Sequence, residues 1–362
     1  MAQTSTVYVI IPVYNAERYI VQTLESVLAQ PYPNIEIVCV DDGSCDDSLS
    51  VLRQYEAEYP NVSILHQENS GVSVARNTGI EFVQSRGSSQ DYLVFLDADD
   101  CWVHDTITTE LIGAWAHTQI ISMTHVFCSE DLHRISAVPS HAESEILSGG
   151  ADAIERLAGR HLGSALYRLD LVREYQLRFL PGVRYSEDVL FYQSCLYLAK
   201  QITKLDKVFY LYRDNSEGAM SRAKSSIDHI PEIIRAHIKT ADILSRFKTA
   251  PAGKPDPFVH KASIWTLELT MSHYLVLRSS RALSAFFREN PEIKTLLDEM
   301  DPEQYSNYHR KALDLYRNAR PLFIARQYGR GCLRLGMHLL KKIPMVRAKL
   351  AEHQYPNENP FL

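Results

Sequence analysis

Tyr92-Leu93-Val94-Phe95-Leu96-Asp97-Ala98-Asp99-Asp100 sets a run of apolar residues directly before three carboxylates. A short continuous apolar run that ends in polar residues reads as a strand buried on both faces. The carboxylates then stand where the strand ends. Like charges so close repel one another, and keeping them ionised beside a protein interior costs several kcal/mol unless something positive neutralises them. A divalent cation carrying a phosphorylated ligand meets that need, because Mg²⁺ is held by one or two carboxylates and fills its shell with water and phosphate oxygens. The plainer alternative is an acidic loop capping the next helix, whose first turn also favours negative charge.

Upstream of this stretch, strands are expected at Val7-Tyr8-Val9-Ile10-Ile11, Ile35-Glu36-Ile37-Val38-Cys39-Val40 and Val62 to Leu65. Helices are expected over Glu17 to Gln30, where Ile20, Leu24, Val27 and Leu28 recur at helical spacing, through Leu49, Leu52 and Tyr55, and over Val74 to Val83. Ser44-Cys45-Asp46-Asp47 has the form of a capping box opening the second of these helices. Strands alternating with helices imply a mainly parallel sheet covered on both faces, and such sheets bind ligands beyond the carboxyl ends of their strands. Each strand end here is polar: Pro12-Val13-Tyr14-Asn15, Asp41-Asp42-Gly43-Ser44, Asn69-Ser70-Gly71 and the acidic triplet. Successive polar loops converging on one edge argue for a site.

Downstream, the pattern weakens from Thr124 to Ala151 into expected edge strands and a mobile loop. It returns with Leu166 to Leu171, Phe179 to Asp188, an amphipathic helix from Val189 to Lys200 and a strand from Val208 to Tyr212. Beyond Ala223 the reading is helical, over Ile227 to Phe247 and His260 to Phe287, with a Pro/Gly break between Pro251 and Pro257. Domains of 1–224 and 225–362 follow, the second all-helical, which suits a chain of 362 residues, long for one compact domain. A hydrophobic share of 45% fits a folded soluble protein, and a net charge of −6 offers no general attraction to nucleic acid. Cys39, Cys45, Cys101, Cys128, Cys195 and Cys332 are scattered without C-x-x-C spacing and read as reduced apolar fillers of a cytosolic protein. The first apolar run ends at Pro12, too soon for a signal sequence, and no run is long enough to cross a bilayer.

From Val7 to about Arg222 the chain resembles the family-2 glycosyltransferases of the GT-A fold. The resemblance rests on an ordered set: Ile10-Ile11-Pro12-Val13-Tyr14-Asn15, Val40-Asp41-Asp42-Gly43-Ser44-Cys45-Asp46, Asn69-Ser70-Gly71 through Arg76-Asn77-Thr78-Gly79, Phe95-Leu96-Asp97-Ala98-Asp99-Asp100, Tyr185-Ser186-Glu187-Asp188 with Phe191, and Tyr212-Arg213. It implies an α/β fold with a Rossmann-like sheet and an inverting hexosyl or N-acetylhexosaminyl transfer. The donor would be a UDP-sugar and the acceptor a glycan or glycolipid hydroxyl, assisted by Mn²⁺ or Mg²⁺, in the synthesis of bacterial cell-surface polysaccharide, lipopolysaccharide or capsule. A non-catalytic nucleotide-sugar-binding module is the alternative. A dehalogenase-type phosphohydrolase is a weaker one, since Asp100-Cys101-Trp102 stands where that chemistry wants Gly and Thr. A dinucleotide-dependent dehydrogenase lacks its G-x-G-x-x-G after the first strand.

The residues admit matching roles. Backbone around Pro12, Val13 and Tyr14 can frame a flat base, with the Tyr14 ring as a stacking face. By resemblance Asp42 accepts the uracil imide N–H, while turn formation before Gly43 is the other reading of Asp41 and Asp42. Arg76 is either a fixed cation reaching the nucleotide or a structural partner for the carboxylates. Asp97, with Ala98, is expected on the ribose or metal side, Asp99 as the ligand of the cation, and Asp100 as cap of the following helix. The incoming hydroxyl needs a general base, and Glu187-Asp188 is the candidate pair. Resemblance favours Asp188 as base and Glu187 as its supporting acceptor ligand; the residues alone leave the roles open. Arg213, Ser221 and Arg222 belong to a loop that in similar enzymes folds over the diphosphate. Ala165 stands where relatives often carry a polar or basic residue. His104, His125 and His161 show no metal-ligand spacing and read as solvated or core histidines.

From Arg317 to Lys349 basic residues recur without any Asp or Glu, interleaved with leucines, and Arg326, Arg330 and Arg334 share one helical face. A basic amphipathic segment in an acidic protein is expected to make peripheral contact with anionic lipid on the inner face of the cytoplasmic membrane. A packed terminal helix is the other reading, since Gly329, Gly331 and Gly336 weaken an isolated helix.

Overall fold

The computed structural model describes residues 5–136, 138, 144–183, 185–214, 230–248, 256–260, 263, 287–301, 303 and 357–358. Ser221, Arg222, Cys332 and the basic segment from Arg317 to Lys349 lie outside the described residues, as does most of the helix expected from His260 to Phe287.

The first half of the sequence folds as strand and helix in turn: β1 (Val7–Val13), α1 (Ile20–Leu28), β2 (Ile35–Asp41), α2 (Ser48–Glu58), β3 (Val62–His66), α3 (Val72–Arg86) and β4 (Tyr92–Phe95). β1 is flanked in parallel by β2 and β4, and β3 lies parallel to β2. All of β1 and β4 is buried. That explains why their sequences show no apolar–polar alternation: helices cover both faces. Val7, Val9 and Ile11 of β1 and Ile37 and Cys39 of β2 share one core with Ile20, Leu24 and Val27 of α1, each large side chain contributing roughly 1.5–3 kcal/mol by burial. On the other face Gly79 lets α3 press against β1, since a Cβ there would fall 2.4 Å from Ile10 Cγ2.

The capping box expected at Ser44 to Asp47 does not form. Helix α2 starts at Ser48, and Asp47 at its N-cap makes no capping bond. The side chains instead tie two loops together: Ser44 Oγ accepts the Asn15 N–H at 3.1 Å, and Ser48 Oγ accepts the Ala16 N–H at 2.8 Å. The loop after β1 is thereby held against the loop after β2.

The second half adds β5 (Cys101–Trp102), α4 (Thr109–Ala114), β6 (Ile120–Cys128), β7 (Arg134–Ile135), β8 (Ser144–Leu147), α5 (Ala151–Arg156), β9 (Ala165–Arg168), α6 (Leu169–Glu174), α7 (Glu187–Leu198), β10 (Ile202–Arg213) and β11 (Asn357–Glu358). β9 runs antiparallel to both β4 and β6, so β6 points the same way as β4, and β10 is parallel to β6. The carboxyl ends of β1, β2, β3, β4, β6 and β10 therefore share one edge. β6 is an interior strand, not the edge strand expected from Thr124 onward. Ser122 within it finds partners inside: the Ser122 and Tyr192 hydroxyls lie 2.9 Å apart, and Arg160 donates to the Ser122 carbonyl at 3.1 Å.

The chain divides into two compact units, residues 1–222 with 354–362 and residues 223–353. In the second, helices cover Ile230–Ser245 and Pro291–Glu299, and Arg235 Nε donates to Glu292 at 2.9 Å. No helix among the described residues is long and apolar enough to cross a membrane. Cys39, Cys101, Cys128 and Cys195 are free and buried, as apolar fillers are expected to be, whereas Cys45 is exposed and fills no core.

Candidate active site

The ends of β1 and β2 form the first wall. Tyr14 is 51% exposed, leaving its ring face open. Asn15 takes a left-handed backbone conformation with φ 50°, which Asn tolerates, and its side-chain oxygen accepts the Cys45 N–H at 2.8 Å. Asp41 serves the turn and the adjoining strand: its carboxylate accepts the Ser44 N–H at 3.3 Å and meets His66 Nδ1 at 2.7 Å. Asp42 is buried and already well occupied. Its Oδ1 accepts from Gln67 Nε2 at 2.7 Å and from the Ser70 N–H at 2.8 Å, and its Oδ2 accepts the Gly71 N–H at 2.8 Å. Gly71 reaches it with φ +89°, a conformation costly for other residues. A carboxylate has about four acceptor positions, so these bonds leave room for one outside donor.

Arg76, on α3, is buried among the carboxylates. Its Nη2 donates to Asp97 Oδ1 at 2.7 Å and its Nη1 to Glu187 Oε1 at 3.0 Å, while the guanidinium lies 5.2 Å from the centre of the Phe179 ring. Phe179 stacks on Phe191 at 4.2 Å, and Phe95 meets both edge-on, so the cation rests on an aromatic floor. Burial works against the Arg76 charge, yet Asp97, Glu187 and Asp188 raise its pKa further. Burial likewise opposes ionisation of Asp97, but the Arg76 guanidinium beside it holds its carboxyl below the usual range.

Asp97 keeps 27% of its side chain exposed, and Asp99 is half-buried. Two partly open carboxylates after a buried strand suit a divalent cation that takes its remaining ligands from phosphate and water. No group of three or more His, Cys, Asp or Glu among the described residues is arranged to hold a metal unaided.

Asp100 and Arg213 both lie inside the fold. Asp100 caps no helix, because β5 follows it and α4 begins only at Thr109. It is buried, accepting the Tyr210 hydroxyl at 2.7 Å and the Arg213 N–H at 2.7 Å. Burial together with Asp99 and Asp97 pushes its pKa well up. Arg213 does not reach out over the edge. Its guanidinium is turned inward, donating to the carbonyls of Asp99 and Glu130 and to Gln22 Oε1, with the Tyr19 ring centre 4.9 Å away. It is 3% exposed and fastens the end of β10 to the acidic loop.

Glu187 and Asp188 open α7, directly after Ser186, which is held in a left-handed conformation with φ 66°. Burial and the neighbouring Asp188 push Glu187 up to about 7 against the pull of Arg76. Asp188 accepts the Val189 N–H at 2.7 Å, and its other oxygen faces His161 Nε2 at 3.8 Å. Sequence reasoning did not single out Tyr210; His161, read there as a solvated or core histidine, is largely buried beside Asp188. The Tyr210 hydroxyl accepts the Asp97 N–H at 3.3 Å while donating to Asp100. Its place in the run Val208 to Tyr212 marked it only as a strand residue.

The edge thus gathers Tyr14, Asp42, Arg76, Asp97, Ala98, Asp99, Glu187 and Asp188 from the ends of β1, β2 and β4 and the starts of α3 and α7. Residues 8–155 match the model of glycosyl transferase family 2. The chain is 31% identical over 195 residues to an uncharacterized glycosyltransferase of Haemophilus influenzae, a match spanning 53% of this chain and 72% of that protein. It belongs to glycosyltransferase family 2. It is also 31% identical over 216 residues to the uncharacterized glycosyltransferase EpsJ of Bacillus subtilis, covering 58% of this chain and 61% of EpsJ. The minor teichoic acid biosynthesis protein GgaA of the same organism is 29% identical over 227 residues, covering 58% of this chain and 47% of GgaA. The chain therefore spans between about half and three-fifths of the length of these two relatives. Among solved structures, residues 1–349 of S. aureus TarS in complex with UDP-GlcNAc align with a TM-score of 0.53 and 18% identity over 86% of this chain and 91% of that one. That likeness is one of fold, and the fold is GT-A.

Proposed function

We propose that this family-2 chain transfers a sugar from a UDP-sugar to an acceptor hydroxyl with inversion at the anomeric carbon. The observation that carries the reading is the Arg76 bridge, which joins Asp97 of the acidic loop to Glu187 beside Asp188. It couples the side suited to a diphosphate to the side suited to a base. The solved TarS structure that shares the fold holds UDP-GlcNAc, which supports a UDP-linked donor. The naming of GgaA for teichoic acid biosynthesis supports an acceptor in a cell-surface polymer.

On this reading the uracil lies against Tyr14 and the backbone of Pro12 and Val13, with its imide N–H given to the remaining acceptor position of Asp42. Asp99, with Asp97, would hold a divalent cation, which when bound offsets the negative charge of the departing diphosphate. Arg76 fixes the direction of Asp97 and keeps its carboxylate ionised. Asp188 accepts the proton of the acceptor hydroxyl, whose oxygen forms the new bond to the anomeric carbon. The bond from that carbon to the diphosphate oxygen breaks, and its electron pair leaves with UDP. One base, with the adjoining Glu187 tied to Arg76, suits a single displacement. The Arg76 ion pair occupies Glu187, which leaves Asp188 as the carboxylate for the proton.

The test is a donor screen on the full chain. UDP release from UDP-glucose and UDP-N-acetylglucosamine is measured with and without Mn²⁺ and with cell-surface glycan extracts as acceptor. Release that needs the cation and rises with extract is expected. Binding of the donor with no release under any condition would leave the non-catalytic module as the better reading.

A further inference from the structure

His161 stands beside Asp188 and has no part in the mechanism above. Its Nδ1 accepts the Gly163 N–H at 3.2 Å. A ring nitrogen that accepts carries no proton, so the proton of the neutral ring sits on Nε2. That nitrogen faces Asp188 Oδ2 at 3.8 Å. The ring has little freedom. The His161 N–H donates to Ser164 Oγ at 3.2 Å, and the Ser164 hydroxyl donates back to the His161 carbonyl at 2.7 Å. Ring centres of Tyr210 and Tyr212 lie 5.0 and 5.2 Å away. Gly163 is a required glycine of this turn, because a Cβ would fall 2.3 Å from Tyr210 Cε2 and 2.8 Å from the Phe95 carbonyl oxygen. Burial, aided by Arg76, outweighs Asp97 and Asp188 and lowers the His161 pKa, so the ring stays neutral.

We propose that His161 is a positioning residue that orients the Asp188 carboxylate through a neutral Nε2–H donor. The inference rests on the reading of Asp188 as the base. A neutral donor suits this role, because a cation in the same place would hold the carboxylate ionised and make it a poorer proton acceptor. The gap must close by roughly 1 Å to become a hydrogen bond, and catalytic contacts commonly tighten when substrate binds. Tyr210, against which His161 packs, also receives the Asp97 N–H, so the two ends of the reacting site share one support.

The test uses the full chain and two variants. His161→Phe keeps the aromatic packing and removes the donor; His161→Gln restores an amide donor. For UDP release from UDP-N-acetylglucosamine or UDP-glucose, His161→Phe should lower kcat about tenfold or more while the donor KM moves less than about twofold, and His161→Gln should recover most of the loss. Unchanged kcat in His161→Phe overturns the proposal, as does a fall in which both variants lose donor binding and kcat alike. A second readout is independent of turnover. Nitrogen NMR of isotope-labelled histidine should show the Nε2–H tautomer at His161, with a resonance that moves in Asp188→Asn. The Nδ1–H tautomer, or a resonance indifferent to Asp188→Asn, overturns the proposal even if no donor is turned over, an outcome that would separately count against the transferase reading.

Discussion

Arg76 Nη1 donates to Glu187 Oε1 at 3.0 Å, joining residues 111 positions apart. The other arm of the guanidinium holds Asp97 at 2.7 Å, so a single buried cation spans the loop after β4 and the start of α7. Arg76 and Glu187 are poorly hydrated, which makes their contact costly to break and strict in geometry.

Arg76→Ala should therefore destabilise the catalytic unit by about 3–5 kcal/mol, the scale for stranding a buried charge. Arg76→Lys should lose much of this as well, because one ammonium cannot serve two divergent carboxylates as a planar fork does. Denaturant midpoints check it. Adding Glu187→Gln to Arg76→Ala should return part of the stability, and a double variant weaker by the full sum would count against coupling through this contact.

The raised Glu187 pKa gives stability a pH dependence of definite sign. With its value pushed up to about 7, the folded protein binds this proton more tightly than the unfolded chain does. The stabilisation is complete below the ordinary glutamate value and is lost as pH rises through about 7. Each tenfold difference in proton affinity between the folded and unfolded protein is worth roughly 1.4 kcal/mol. Asp97, held below the usual range, acts in the opposite sense, and only at more acid pH. Melting temperatures of the wild type should fall between about pH 5 and pH 8, and Glu187→Gln should flatten that slope. An equal slope in both proteins would assign it to other groups.

The parallel half of the sheet was legible because Val7 to Ile11, Ile35 to Val40 and Tyr92 to Leu96 are unbroken apolar runs whose polar ends announce the edge. β6 was not, because Ser122, Thr124 and His125 interrupt its apolar residues, and only Tyr192 and Arg160, distant in sequence, satisfy the polar groups at Ser122. The acidic triplet was visible as chemistry, but the division of labour within it was not. Asp100 is spoken for by Tyr210 and Arg213, more than a hundred residues away, and is buried, while Asp97 and Asp99 stay partly exposed. Arg213 reads as a cation for phosphate until its acceptors, mainly backbone carbonyls, are known. Carbonyl acceptors leave no mark in a sequence. The role proposed for His161 left no mark for the same reason, since it depends on the Gly163 N–H and a carboxylate on another element.

If Arg213 is a structural fastening, its loss should appear in stability before nucleotide affinity. Arg213→Met keeps the apolar stem and strands the carbonyls of Asp99 and Glu130 together with Gln22. A cost of about 2–4 kcal/mol is expected, with UDP affinity in the folded fraction changed by less than about threefold. Calorimetric titration with UDP beside thermal unfolding separates the two. A stable variant that has lost UDP binding would restore Arg213 to the diphosphate.

Asp99→Asn should remove the cation dependence of UDP binding while leaving the fold intact, because the half-buried side chain keeps its shape and loses only its charge. Asp42→Ala should act differently. It frees Gln67 and the Ser70 and Gly71 N–H groups, so affinity for UDP falls with or without Mn²⁺ and the loop at residues 69–71 loosens. Isothermal titration of UDP in Mn²⁺ and in chelator distinguishes the two variants. Equal cation dependence in Asp99→Asn and wild type would exclude Asp99 as the ligand.

Assignment of the base turns on the contrast between Glu187 and Asp188. Glu187 is committed to Arg76, whereas Asp188 points one oxygen at His161 and, among the described residues, accepts the N–H of its own neighbour. Asp188→Asn should cut kcat by about 10²-fold or more with donor KM nearly unchanged, the pattern for losing a group that acts on the acceptor proton in the transition state. Glu187→Gln should retain more activity, since an amide oxygen still accepts from Arg76, and its losses should track the altered bridge. Initial rates over donor and acceptor concentration give both constants, and the anomeric configuration of the product should be opposite to that of the donor. A dead Glu187→Gln beside a nearly normal Asp188→Asn would exchange the two roles, and with them the place where the acceptor hydroxyl must lie.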